Sequence, residues 1–328
     1  LFAFIVFCIS SQAGLKTTIW LAKTCLPGKL TVFEARGRLI SDVTINRLVY
    51  RHNDTDVWLK HLRLRWQGYK LITGHVNVDK LAIYKLYITL PKAKATKTDK
   101  KSPIHFHLPI QFNLKDVNVY HVKLITGDSQ PFELQALNLI AQSNGQVVTI
   151  KRLHAELNPY RLETEGHVDL SLTQMADLSG RFVKLEPKNK TVAMDYQLTG
   201  NDKTLLLDAH VEKPLSATIN AVLKNVLESG EINVKGNFNQ FNWPLNDGEI
   251  IQVDHGQLTM TGTQKHYQAT LNTHIAGTNV PSTSLNLKGE GGWSAFNITQ
   301  LKAGLLGGTI EGQANIQFAP ALSFDASL

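Results

Sequence analysis

Cysteine is almost absent from this chain of 328 residues, which contains only Cys8 and Cys25. The pair lacks the spacing of a metal site and is too sparse for a disulfide framework. The sequence also lacks a Gly-rich phosphate loop, a Gly-x-Ser-x-Gly nucleophile elbow and a His-Glu-x-x-His helix. These absences predict a chain with no catalytic residue, no metal and no cofactor, and therefore not an enzyme.

Charged side chains are also scarce, at 19% of the residues, whereas soluble domains typically contain about 25%. The net charge of +7 is concentrated in the run 92–101, which carries five lysines and one aspartate. Bounded by Pro91 and Pro103, this run is typical of a solvated loop at 91–103 between two strands, although contact with anionic lipid headgroups is an alternative. Helix-turn-helix, zinc-finger and RNP patterns are missing, so we predict no nucleic-acid partner.

Helical periodicity is confined to one segment near the N-terminus. Leu15, Ile19, Ala22 and Leu26 recur at helical spacing before Pro27, which predicts an amphipathic helix over residues 14–28. The nine residues 1–9 are all apolar, but a bilayer span needs about 20. Within the segment 1–13, we expect either the end of a longer membrane anchor or the apolar region of a signal peptide; a buried core strand is the third alternative.

Bulky apolar and aromatic side chains dominate this N-terminal segment, and Trp20 suits the headgroup level of a bilayer. The predicted membrane-anchoring residues are Phe2, Phe4, Ile5, Val6, Phe7, Ile9 and Trp20.

From residue 29 to residue 328 the chain alternates between apolar and polar residues, with glycines at the expected turns. In the segment 309–318, Ile310, Ile316 and Phe318 share one face while Glu311 and Gln317 share the other, as in a β-strand. Residues 215–229 fit either a helix or a strand. The pattern predicts a mainly β fold, as an elongated, curled, antiparallel-rich sheet with an open groove or as a closed barrel or sandwich. Glycine, alanine and threonine on the inner face leave room and favour the open form.

Short glycine-rich motifs and their order along the chain resemble the N-terminal half of the TamB family. The family comprises inner-membrane-anchored subunits of the bacterial translocation and assembly module, AsmA-like relatives of the bridge-like lipid-transfer proteins. The matching motifs are 26–30, 37–39, 62–66, 241–245, 256–262, 277–281, 289–291 and 305–310.

This resemblance implies a single-pass anchor in the bacterial inner membrane with the bulk of the chain in the periplasm. It further implies a β-groove that carries phospholipids towards the outer membrane and supports outer-membrane protein assembly. The expected partners are phospholipid, the inner membrane and a TamA-like outer-membrane barrel, the last through a C-terminal region outside this chain. The alternatives are a scaffold that guides barrel strands by edge pairing and an outer-membrane β-barrel.

A lipid-carrying face requires large apolar side chains at alternating strand positions, although each such position also suits an ordinary β core. The predicted lining residues are Val76, Val78, Ile232, Val234, Leu258, Met260, Leu271, Ile275, Ile310, Ile316 and Phe318.

Overall fold

The computed structural model describes most of the chain, and two compact units divide it: an N-terminal unit, Leu1–Leu172, and a C-terminal unit, Thr173–Leu328. The described residues are 10–91, 111–127, 131–170, 176–185, 191–201, 203–212, 215–225, 230–243, 251–263, 265–277, 280–292, 294–305, 307–317 and 323–327. The anchor positions 2–9, the basic run 92–101 and Phe318 lie outside them.

The N-terminal unit begins with one α-helix, continues as strands and includes a short 3-10 helix at Gly68–Thr73. Each strand pairs with the next along the chain, and all pairs are antiparallel except β4 with β5. The elements are α1 (Gln12–Cys25), β1 (Lys29–Arg38), β2 (Asp42–His52), β3 (Thr55–Trp66), β4 (His75–Leu90), β5 (Gln111–Thr126), β6 (Phe132–Ser143), β7 (Val147–Leu157) and β8 (Tyr160–Asp169).

The C-terminal unit is an antiparallel ladder in which successive strands pair, except that β13 and β14 both pair with β15. Its strands are β9 (Ala176–Lys184), β10 (Val192–Gly200), β11 (Thr204–Val211), β12 (Ala217–Lys224), β13 (Glu231–Phe238), β14 (Phe241–Trp243), β15 (Ile251–Thr263), β16 (Tyr267–Gly277), β17 (Val280–Gly291), β18 (Ala295–Leu305), β19 (Gly308–Gln317) and β20 (Ser323–Ser327).

Helix α1 starts at a side-chain cap and packs on the first strands. The Ser11 hydroxyl accepts a 2.9 Å hydrogen bond from the Gly14 backbone N–H, which satisfies one of the free donors of the first turn. Leu15 is only 3% exposed and forms a cluster with Val43 and Ile45 of β2. The helix therefore covers the apolar face of the sheet at its first strands.

Left-handed backbone residues interrupt three strands of the N-terminal unit at one level, which we call the crease. At this level the alternation of side chains between the two faces of the sheet is interrupted. Glu34, His61 and His121 have φ values of 49°, 51° and 51°, and they lie at one level on β1, β3 and β5. Val32 and Ala35 of β1, three residues apart on either side of this level, both pack on the cluster that contains Ile45. The left-handed residues thus keep the apolar side chains on one face beyond the crease.

The β4–β5 pair differs from the hairpins that the turn glycines predict. These two strands of 16 residues each run parallel, with Val78 beside Leu114 and Ile83 beside Val119. A parallel pair requires a crossover connection in place of a tight turn. The long segment between Leu90 and Gln111 provides the necessary length.

Antiparallel strands make up most of both units, which confirms the predicted mainly β, antiparallel-rich fold class. Within the described residues, neither ladder closes on itself, since no pairing joins β1 to β8 in the first ladder or β9 to β20 in the second. The ambiguous segment 215–229 contains strand β12. Helix α1 overlaps the predicted helical segment 14–28.

Candidate functional site

The C-terminal unit carries an unbroken apolar face across its strands. Directly opposite residues of antiparallel strands share a face, so the pairing registers trace rows of side chains across the sheet. The first row is Gly180, Tyr196, Ala209, Ile219, Gly236, Leu258, Leu271, Leu287, Leu301 and Gly312. The second row lies two residues along every strand except β18, where a bulge makes the step three residues. Its members are Leu178, Leu198, Leu207, Ala221, Val234, Met260, Ala269, Gly289, Ile298 and Ala314. No member of either row is charged.

A similar apolar face runs through the N-terminal unit. Its central row is Ala35, Ile45, Leu62, Ile83, Val119, Leu137, Ala155 and Leu162. These side chains are on average larger than those of the C-terminal rows, which contain several glycines and alanines. Each unit therefore supplies one continuous apolar surface.

Bulges keep these surfaces continuous where the simple alternation fails. In β18, Ile298 pairs with Gly289 and Leu301 pairs with Leu287, with a register shift between them. Ile298 and Leu301 are three residues apart, so regular alternation would place them on opposite faces. The extra residue of the bulge returns Leu301 to the apolar side.

The opposite face of each sheet is polar and laced with ion pairs. The Lys302 ammonium lies 2.7 Å from Glu311, and the Asn220 amide donates a 2.6 Å hydrogen bond to Asp208. Arg181 binds Glu212 at 2.5 Å and Asp195 at 3.1 Å, and the bond to Glu212 is the main reason that the pKa of its guanidinium is raised. One face of the sheet is therefore polar and suited to contact with water, and the other is apolar.

Among the described residues of the C-terminal unit, burial shows that the apolar face lacks a tightly packed second layer. Among the described residues, no large side chain is less than 2% exposed. Leu258 is 38% exposed and Ile310 is 42% exposed, although both belong to the apolar face. A sealed sandwich core would bury such residues almost completely.

The predicted lining residues fall on these two faces, while their role in lipid binding stays a prediction. Val76 and Val78 lie on the apolar face of the N-terminal unit, where Val78 is 7% exposed. The other described positions lie on the face of the C-terminal unit, and all except Leu258 and Ile310 are half-buried: Ile232, Val234, Leu258, Met260, Leu271, Ile275, Ile310 and Ile316.

Several members of the rows escaped the sequence prediction. Leu207, Leu287 and Leu301 have the same register as the predicted residues, and alternation with Asp208, Lys288 and Lys302 was the signal available for them. Of the predicted anchoring residues, Trp20 is described and is 63% exposed on α1.

The part of the chain that the structure describes contains no group of three His, Cys, Asp or Glu side chains that could hold a metal ion. His105 and His107, one strand-spaced histidine pair of the sequence, lie outside that part.

A family model described as the N-terminal domain of TamB matches residues 1–128 and 101–328. The chain belongs to the TamB family. TamB proteins are inner-membrane-anchored periplasmic proteins of a non-enzymatic assembly and transport module. Membership associates this chain with outer-membrane assembly and with a TamA-like outer-membrane component. No solved structure matches the chain significantly.

Among the described residues, no helix combines the length and the apolar character that a bilayer crossing requires. Helix α1 has 14 residues and packs by Leu15 on the sheet.

Proposed function

We propose that this TamB-family chain carries phospholipid acyl chains along the apolar face of its sheet, from the inner membrane towards the outer membrane. The supporting observation is the pair of uncharged rows in the C-terminal unit, which cross ten strands without interruption and are not sealed by a second layer. The N-terminal segment with Trp20 would hold the chain at the inner membrane. A TamA-like partner would bind through a region outside this chain.

The energetic reason for such a face is the cost of moving a lipid through water. A phospholipid exposes on the order of 30 methylenes, each worth about 0.8 kcal/mol, so its passage through water costs on the order of 25 kcal/mol. A continuous row of Leu, Ile and Val side chains replaces that water contact at every step. The headgroup stays hydrated on the open side, so no catalytic group is needed.

Glycines on the apolar face leave space for neighbouring aromatic rings. Gly256 pairs with Thr273 in β16 and with Phe238 in β13, and a Cβ at position 256 would overlap the Phe238 ring. Gly289 likewise leaves space for the Phe296 ring, which a Cβ there would approach to 2.8 Å. The Phe238 and Phe296 rings therefore occupy the positions over these glycines, where any larger residue would displace them.

Site-specific photo-crosslinking tests the proposal. A photoreactive amino acid at Ile232, Leu271 or Ile316 should capture phospholipid in living cells, because these positions lie on the apolar face. The neighbouring positions Asn233, Asn272 and Gln317 point to the polar face and serve as matched controls. Lipid adducts recovered equally from both sets would refute the assignment of the face.

A further inference from the structure

The 3-10 helix between β3 and β4 exposes an unusual amount of apolar surface. Within Gly68–Thr73, the exposed fraction is 55% for Tyr69, 47% for Leu71 and 88% for Ile72. Single exposed apolar residues are common on protein surfaces. Three of them within four residues at a loop tip form a local apolar surface, which we name the apolar loop.

The other end of β3 provides the contrast. There the turn to β2 contains Asn53 and Asp54, both exposed and polar. Strand β3 therefore begins at a polar turn and ends at a loop that exposes apolar side chains to solvent. This difference favours a partner at the β3–β4 end.

The apolar loop lies beside the turn over which helix α1 begins. The Gly68 N–H donates a 2.8 Å hydrogen bond to the Ile40 carbonyl, and the Trp66 indole donates one of 2.8 Å to the Leu39 carbonyl. Leu39 in turn packs against the cluster of Leu15, which is one turn from the start of α1. The C-terminal end of α1 lies near the opposite end of β2, since the Tyr50 hydroxyl donates to the Pro27 carbonyl.

The chain that precedes α1 identifies the partner. Residues 1–9 are uniformly apolar, and they join the helix at the end that lies over the β1–β2 turn. We propose that the apolar loop enters the headgroup region of the same bilayer that residues 1–9 engage, giving the N-terminal unit a second membrane attachment. Lys70, between the apolar side chains, suits anionic headgroups. This inference rests on the inner-membrane anchoring in the proposed function.

Fluorescence quenching by lipid tests the second attachment on the whole chain. Cys8 and Cys25 are replaced by alanine and serine, and an environment-sensitive dye is attached to Ile72→Cys, with Tyr69→Cys as a second site in the same loop. The protein is reconstituted in vesicles of phosphatidylethanolamine and phosphatidylglycerol with brominated acyl chains. We expect a blue shift and a loss of emission at both sites, and neither effect at the control Asn53→Cys.

A label at Ile5→Cys separates the inference from the anchoring. Quenching at position 5 without quenching at positions 69 and 72 would overturn the second attachment and leave the anchor intact. Quenching at neither place would overturn both, whereas quenching in the loop alone would support the loop contact and refute the anchor. Blue-shifted loop emission that lipid bromines do not quench would show that protein covers the loop, and would also overturn the inference.

Discussion

Strands β1–β3 and strands β12–β16 present similar apolar side chains, but only the first group is covered. Under helix α1, Val43 is 5% exposed and Ile45 is 8% exposed. In β12–β16 the most buried apolar side chain is a small one, Ala221 at 6%, whereas Leu258 remains 38% exposed. A small side chain is shielded by its neighbours within the sheet, but a large one needs a second layer. The comparison shows that α1 buries the face over β2, whereas Leu258 of β15 stays open to solvent.

The largest expected effect separates the covered from the uncovered leucines. Leu15→Ala should lower the free energy of unfolding of the N-terminal unit by about 3 kcal/mol, because it leaves a cavity between α1 and the sheet. Leu271→Ala should cost about 1 kcal/mol in the C-terminal unit, since its side chain is half-exposed and leaves no closed cavity. Urea unfolding followed by hydrogen exchange in each unit measures both values. Equal losses would show that the face near Leu271 is sealed as well.

A smaller effect concerns the glycines that leave room on the uncovered face. Gly256→Ala should destabilise the C-terminal unit by about 2 kcal/mol, because its Cβ would overlap the Phe238 ring and force a rearrangement. Gly236→Ala is the matched control, since its Cβ would meet Leu258 at an ordinary 3.6 Å. We expect a change within about 0.5 kcal/mol there. Thermal unfolding of the two variants compares them, and indistinguishable curves would contradict the role of Gly256.

The smallest expected effect concerns an ion pair on the polar face. Covering of the apolar face should not change the contribution of such a pair to stability. The 2.7 Å hydrogen bond from Lys115 lowers the pKa of Asp79 below its ordinary 3.8. A lowered pKa in the folded state stabilises the fold above pH 3.8, and this stabilisation disappears as the pH falls through the folded-state value. The pair is partly exposed, so its contribution is about 0.5 kcal/mol.

Acid titration of unfolding measures this term. Asp79→Asn and Lys115→Ala should each flatten the loss of stability below about pH 4, and salt should weaken the effect in the unmodified chain. An unchanged acid profile in both variants would show that the pair does not contribute.

Alternation in the sequence was sufficient to predict much of the sheet and its face. Ile310 and Ile316 fall on one side of β19 as expected, because that strand has no bulge. The crease at His61 and the bulge before Leu301 could not be predicted, since both depend on local backbone geometry that the side-chain pattern does not reveal. Leu48 is an example. It lies three residues after Ile45, so regular alternation would place the two side chains on opposite faces, yet both pack in the same cluster.

The sequence pattern also could not predict which distant segments pair with each other. The hydrophobic stripe of α1 indicated an amphipathic helix, but it did not indicate that Leu15 would pack against β2. The parallel pairing of β4 with β5 follows from a long connection whose pattern is equally compatible with a hairpin. The apolar loop escaped notice because Leu71 and Ile72 resemble strand residues when read in isolation.

Because each strand pairs with its neighbours, insertion, loss or damage of a strand should have local effects. Among the described residues, a strand bonds only to the strands beside it in its ladder, so stability accumulates from one strand pair to the next, as in repeat proteins. A hairpin could be inserted or removed without redesigning any remote part of the same ladder. Damage should likewise remain local: a broken strand would open its own stretch of sheet while distant hairpins keep their hydrogen bonds.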